Sequence, residues 1–362
     1  MVSREPLVAK GVEGRNLERE FAHVNGKITV TRMNSVRKGT KSGIRFLSVG
    51  SGDRLSARHR KTPEYSGMQR PGMKLVRGVP MLDFLADKWS CVEQLQARSD
   101  DLVIATYPKA GTTWMQEIVD LVINVADLAH NRRATIDDRM IFMEWSCGPG
   151  EPPELRSGVE LLDEFPSPRV IKTHVPYKLF PSSFWAEDCK VIYVARNAKD
   201  NAVSYFHFDR MNRQQPEPGS WEEYLPRFVA GSVPWGSWYD HVTGWWNARE
   251  KHRILYFFFE DMKENPLREV SRVADFIERP LSERQLQEVV RLSSFSVMKN
   301  NPMSNYSHLP PTLMDQTVSP FMRKGEVGDW KNHFSASQLE AFEQDYSKKM
   351  PADGPSFRDT LP

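Results

Sequence analysis

The chain has 362 residues, of which 40% are hydrophobic, 27% charged and 11% aromatic. With 49 Lys+Arg against 47 Asp+Glu, the formal net charge is +2. This composition suits a globular protein with room for a sizeable core, and it excludes a collagen-like, a disulfide-framework or a wholly disordered chain.

Taken in chain order, residues 1–72 stand apart from the rest. They hold 15 Lys/Arg and 6 Asp/Glu, a balance of +9, whereas residues 73–362 hold 34 and 41, a balance of −7. The segment has no Trp, and its aromatics are Phe21, Phe46 and Tyr65. So little apolar surface does not offset the entropy of ordering, and a flexible basic N-terminal extension is expected. Arg37-Lys38 and Arg58-His59-Arg60-Lys61 are short clusters without interleaved aromatics, so a nucleic-acid partner is not expected. Glu5, Glu13, Glu18 and Glu20 argue against an organelle transit peptide, which avoids acids. No secretory apolar segment leads the chain, and no run approaches the roughly 18 apolar residues of a membrane span. Three widely spaced cysteines (Cys91, Cys147, Cys189) fit a reducing, cytoplasmic compartment. Neither they nor the nine histidines have metal-ligand spacing, so no metal is expected.

In the body, short apolar runs at Leu102–Tyr107, Val170–Thr173, Val191–Ala195 and Ile254–Phe259 predict strands buried on both faces. Helical patterns separate them. After Gly111, apolar residues at Trp114, Ile118, Leu121, Val122 and Val125 mark one helix face. The alternation predicts a single α/β domain over 73–362, with a central parallel sheet flanked by helices. Ligands of such sheets sit at the carboxyl ends of the strands.

The first strand leads into Tyr107-Pro108-Lys109-Ala110-Gly111-Thr112-Thr113-Trp114. A strand-to-helix turn aims free N–H groups at an anion, and the helix dipole adds to this. Gly111 permits close backbone approach, Lys109 adds a charge, and the threonines add hydroxyl donors. The spacing is not that of a kinase phosphate loop, because no Gly-Lys-Ser/Thr is present. A second basic element, Arg196-Asn197-Ala198-Lys199-Asp200 with Ser204, follows the third strand. A third is Phe321-Met322-Arg323-Lys324-Gly325, followed by Gly328-Asp329-Trp330-Lys331. Such cations inside an acidic body point to a polyanionic ligand.

Together these three motifs resemble the cytosolic sulfotransferase family over nearly all of residues 73–350. Glu144-Trp145, Trp235-Gly236-Ser237-Trp238 and Trp245-Trp246 look closest to its class 1, phenol-sulfating branch, with the C subfamily in view. The resemblance implies a PAPS-dependent enzyme of class EC 2.8.2, which moves a sulfuryl group from 3′-phosphoadenosine-5′-phosphosulfate (PAPS) to a hydroxyl or amine and releases PAP. By similarity, Lys109, Ala110, Gly111, Thr112 and Thr113 would hold the 5′-phosphosulfate. Arg196, Ser204, Met322, Arg323, Lys324 and Gly325 would hold the 3′-phosphate. Trp114, Phe259 and Phe295 would flank the adenine, with Ser293 near it. The family usually carries Tyr where Phe259 stands, so a phenolic hydrogen bond is expected to be missing. His174, in Lys172-Thr173-His174, is the expected base, since imidazole titrates near neutrality. Lys109 and Lys172 would assist the transferring group, with no metal. The acceptor pocket is expected to include Lys172, His174, Leu85, Phe142, Phe208, Tyr306, Leu313 and Met314, and to take a flat phenol. The segment Lys331–Glu340 partly matches a dimerisation motif, with Ser335-Ala336 in place of Thr-Val, so a homodimer is expected.

Overall fold

In the computed structural model the described residues are 22–24, 27–29, 69–149, 151 and 155–361. Most of the basic extension, including its two basic clusters, lies outside them. The described residues fall in two units. The first contributes β1 (Ala22–Val24) and β2 (Lys27–Thr29), an antiparallel pair with Ala22 opposite Thr29.

The second unit opens with an antiparallel hairpin, β3 (Met73–Val76) and β4 (Val79–Leu82). Five strands then form one parallel sheet: β5 (Leu102–Thr106), β6 (Ile141–Phe142), β7 (Val170–Thr173), β8 (Lys190–Ala195) and β9 (Ile254–Phe258). Their order is β6-β7-β5-β8-β9, and Leu102 faces both Val170 and Lys190 in register. Every residue of β5 is buried, as an unbroken apolar run requires. Its side chains alternate between two cores. Leu102 and Ile104 join the core under α1 (Thr112–Ile123), while Val103 and Ala105 join the opposite one. That second core is filled by Trp238 and Trp245 of α3 (Trp238–Ala248) and by Tyr205 of α2 (Ala198–Met211).

The predicted parallel α/β sheet is present, with differences at the edges. The first strand ends at Thr106 and the last at Phe258, so Tyr107 belongs to the loop that follows β5, and Phe259 opens the helix Phe259–Glu264 that follows β9. α1 ends at Ile123, and Val125 lies beyond it, exposed, with φ of 55°. Its place on the apolar stripe is therefore corrected: the periodicity ran past the helix end. β6 is only two residues long and carried no readable pattern.

The chain leaves β5 for β6, on the β7 side of the sheet, and leaves β8 for β9, on the other side. This places a crevice between the carboxyl ends of β5 and β8, where sheets of this kind take ligands. Beside α1, Arg139 binds Glu117 and Asp120 of that helix, all three being buried, and Asn131 donates to both carboxylates at 3.0 Å. Among the described residues no helix is long and apolar enough to cross a membrane.

Candidate active site

The loop after β5 is bent by Lys109 at φ 68° and Gly111 at φ 114°. Gly111 is required there: a Cβ would come within 3.0 Å of the Phe259 ring and would have to adopt a backbone conformation that L-residues avoid. The loop is fixed by Asn201 Nδ2, which donates to the Pro108 carbonyl at 2.8 Å, and by Arg196 Nη1, which donates to the Lys109 carbonyl at 3.4 Å. Thr112 leads into α1, and its hydroxyl meets that of Thr106 at 2.6 Å.

Above this loop the structure gathers an excess of positive charge. Lys109 Nζ lies 4.4 Å from the Phe208 ring centroid and 4.0 Å from that of Phe321. Burial first, then the charges of Lys172, Arg196 and Arg323, pull its pKa down to about 7. Arg196 lies over the Phe259 ring at 4.4 Å and donates to the Glu326 carbonyl at 2.8 Å. Arg323 pairs with Asp329 at 2.6 Å, and Lys324 pairs with the same carboxylate. Burial alone would raise the Asp329 carboxyl, but Lys324, Asn332 and Arg323 hold it well below the usual range. Two buried guanidinium atoms, Arg196 Nε and Arg323 Nε, find no partner. A repelling cation cluster with unpaired buried donors is chemically complete only with a multiply charged anion, so the donor set fits a bis-phosphorylated nucleotide.

The end of β7 supplies His174. Its Nδ1 lies 2.9 Å from the Thr106 carbonyl, which can only accept, so Nδ1 carries the proton and Nε2 is left with a free lone pair. The His174 N–H donates to Glu144 Oε1 at 2.6 Å, and the His174 carbonyl accepts from His241 Nε2 at 2.9 Å. His241 is set in turn by the Tyr193 hydroxyl, 2.7 Å from its Nδ1. Burial, then Lys172, pushes the imidazole pKa well below its ordinary value. Glu144 also accepts from the Thr173 hydroxyl at 2.8 Å and from Trp235 Nε1 at 3.2 Å. Burial raises its carboxyl to about 7. Lys172 lies over the Phe142 ring at 4.2 Å, and burial lowers it to about 8 against the pull of Glu144.

One cavity of about 540 Å³ joins these groups. From the donor motifs it is lined by Lys109, Gly111, Thr112, Thr113, Trp114, Arg196, Ser204, Phe259, Ser293, Phe295, Met322, Arg323, Lys324 and Gly325. From the acceptor set it is lined by Lys172, His174, Phe142, Phe208, Tyr306, Leu313 and Met314. Two expected residues stand outside this lining. Leu85 is 1% exposed and packs in the core beneath the hairpin, and the fully buried Ala110 is turned away within the loop. Ser293 spends its hydroxyl on the Val289 carbonyl at 2.7 Å. Gly325 is required beside Phe295, whose ring a Cβ would overlap. Thr106, Glu144, His241, Trp235, Phe321, Gln214 and Gln215 also belong to the site or its surroundings, though the sequence does not single them out. Glu144, Trp235 and Phe321 fall within the motifs above, but nothing along the chain ties Glu144 or Trp235 to His174.

Comparison with known proteins follows the same lines. A profile described as the sulfotransferase domain matches residues 99–354. The chain is 51% identical over 286 residues to sulfotransferase 1 family member D1 of Rattus norvegicus, covering 79% of this chain and 95% of that protein. It is 49% identical over 290 residues to sulfotransferase 1B1 of Canis lupus familiaris, covering 80% and 96%. It is 47% identical over 285 residues to sulfotransferase 1C2 of Homo sapiens, covering 79% and 95%. Three subfamilies are thus nearly equidistant, and identity does not single out the C subfamily. Among solved structures, mouse sulfotransferase SULT7A1 complexed with PAP aligns with a TM-score of 0.62 at 28% identity, over 78% of this chain and 96% of that one. Retinol dehydratase in complex with androsterone and PAP shares the fold, with a TM-score of 0.70 at 24% identity, over 78% and 90%.

Proposed function

The chain belongs to the sulfotransferase family, with PAPS as donor, and from that premise we propose that it sulfates the hydroxyl of a small phenolic acceptor with His174 as the general base. The observation that carries this reading is the free Nε2 of a buried, neutral His174 on the cavity that Lys109, Arg196, Arg323 and Lys324 also line. In this reading His174 Nε2 takes the acceptor proton as the acceptor oxygen forms its bond to sulfur. The sulfur–oxygen bond to the donor breaks on the opposite side. Lys109 meets the charge that builds on the leaving phosphate, and Lys172 meets that on the transferring oxygens. Arg196, Arg323 and Lys324 hold the 3′-phosphate, and Trp114, Phe259 and Phe295 border the adenine. Phe142, Phe208 and Tyr306 favour a flat aromatic acceptor, phenol or arylamine.

The enzyme is proposed to work in the cytoplasm, as the reducing-compartment cysteine usage suits. A homodimer through Lys331–Glu340 is part of the proposal; Lys331, Ser335, Ala336 and Glu340 in that segment are exposed. The basic extension, residues 1–72, is proposed as an appendage to the catalytic body except at its end, where Arg70 is bonded to carbonyls of that body.

The test is transfer of labelled sulfate from PAPS to a phenol without added metal, in wild type and in His174→Ala. Loss of turnover in the variant with PAP binding retained is the expected result. Retained turnover would remove His174 from the mechanism.

A further inference from the structure

The turn after α2 carries two buried amides that the transfer chemistry does not use. Gln214 and Gln215 are 3% and 2% exposed, and both border the cavity. Gln214 Nε2 and Gln215 Oε1 are buried without a hydrogen-bond partner. An unpaired donor and an unpaired acceptor on residues that border the cavity are costly unless something arriving there satisfies them.

The turn that presents them is firmly held. Arg70 donates to the carbonyls of Asp209, Asn212 and Gln215 at 2.7, 3.0 and 3.1 Å, and to that of Arg210 at 3.0 Å. Asn212 Oδ1 accepts from the Gln214 N–H at 2.9 Å. The Arg213 N–H donates to the Leu313 carbonyl at 2.8 Å, which ties the turn to another piece of the cavity wall. These bonds fix the backbone from which the two side chains extend.

Their place relative to the reacting centre follows from ring contacts. His174 meets the Phe142 edge at 5.1 Å, Phe142 stacks on Trp145 at 5.6 Å, and Trp145 meets Phe84 at 5.4 Å. Phe84 and Gln214 Nε2 both close on Gly148, lying 3.1 and 3.2 Å from where its Cβ would stand. Three ring contacts thus link the base to the neighbourhood of the amide, and Phe142 and Trp145 of that series line the cavity, where an aromatic body would lie against them.

We infer that the acceptor site is two-ended. Its acceptor is a phenol carrying, at the end remote from the sulfated hydroxyl, a group that both donates and accepts a hydrogen bond, of the carboxamide type. Gln214 Nε2 donates to that group and Gln215 Oε1 accepts from it. This inference rests on the phenol-sulfating reading above and adds the chemistry of the distal end.

The experiment uses the full chain with PAPS and two matched acceptor pairs of different length. One pair is 4-hydroxybenzamide and 4-isopropylphenol. The other is 4′-hydroxybiphenyl-4-carboxamide and 4′-isopropylbiphenyl-4-ol. The preference for the amide over its apolar isostere is measured as a ratio of kcat/KM. Intrinsic phenol reactivity cancels when that ratio is compared between wild type and a Gln214→Met/Gln215→Met variant, which keeps side-chain volume. The ratio is expected to fall tenfold or more in at least one pair, mainly through a higher KM for the amide. The single variants are expected to show part of that fall and serve where the double variant folds poorly. An unchanged ratio in both pairs would overturn the inference and leave the amides as structural groups. Absence of transfer to all four phenols, with PAP still bound, would overturn the phenol reading itself and this inference with it.

Discussion

His174 Nδ1 donates to the backbone carbonyl of Thr106 across 2.9 Å, and that one bond decides which ring nitrogen is basic. Because a carbonyl cannot donate, the lone pair is left on Nε2. The same burial that makes the bond strong also disfavours the imidazolium.

The acid limb of kcat/KM should accordingly lie below pH 6.5. A group whose pKa is pushed down stays deprotonated, and so competent as a base, to lower pH than free histidine. The pH–rate profile of wild type checks this, and an acid limb at or above 6.5 would contradict it. His174→Ala should lose about 10²–10⁴-fold in kcat, the range expected when a positioned acid–base group is removed.

Lys109 gives an opposite signature on donor binding. Its free pKa of about 7 means that much of it is neutral at pH 8, whereas a bound phosphate favours the charged form. PAP binding at pH 8 should therefore take up protons, and affinity should fall as pH rises above 7. Calorimetry in buffers of different ionisation enthalpy measures the uptake. Lys109→Met should abolish it, and uptake persisting in that variant would place the titrating group elsewhere.

Glu144 holds the His174 N–H, the Thr173 hydroxyl and the Trp235 N–H together. Its native pKa is raised from 4.5 to about 7, so the folded state binds more protons than the unfolded one between these values. Stability from this group is therefore present at low pH and is lost as pH rises through that window. Each pH unit of it is worth up to about 1.4 kcal/mol. Glu144→Gln should gain stability relative to wild type as pH rises from 4.5 to 7. Glu144→Ala should lose about 1–3 kcal/mol through orphaned donors, and kcat with it. Denaturant melts across pH separate these cases.

Arg139 neutralises two buried carboxylates under α1. Arg139→Met should destabilise the fold by about 3–5 kcal/mol, because Glu117 and Asp120 would remain buried with less compensation. A melting curve tests this; a change smaller than 1 kcal/mol would show that water replaces the guanidinium.

Phe259 lies under the Arg196 guanidinium and edge-on to Trp114 at 5.5 Å. Phe259→Tyr adds the phenolic hydroxyl that the family resemblance leads one to expect at this position. PAP should then bind more tightly by on the order of 1 kcal/mol, the usual worth of a neutral hydrogen bond. Equal Kd values would show that this hydroxyl finds no partner on the nucleotide.

Much of this was legible in the chain because the signals were local. β5, β7, β8 and β9 are continuous apolar runs, and a buried parallel strand has no other pattern to show. The loop from Lys109 to Thr113 had to sit between a strand and a helix, so its place at a strand's carboxyl end followed from order alone. The edges were misplaced where periodicity outlasted geometry, as at Val125, or where an element was too short to carry a pattern, as at β6. Leu85 was assigned to the acceptor pocket by likeness of position, yet it packs in the core, since an aliphatic residue suits either place equally well.

The sequence by itself determined the α/β architecture, the phosphate-type loop, the three cationic motifs and the histidine at a strand end. Each is a matter of residue type and near-neighbour spacing. Only the tertiary structure decided that Lys172, Arg196 and Arg323 stand close enough to Lys109 to lower its affinity for protons. It also decided that Thr106 fixes the His174 tautomer, and that Gln214 and Gln215 border the cavity with their polar atoms unpaired. Those properties depend on charge separation, burial and hydrogen-bond direction between residues as many as two hundred positions apart, and no pattern along the chain encodes a distance through space.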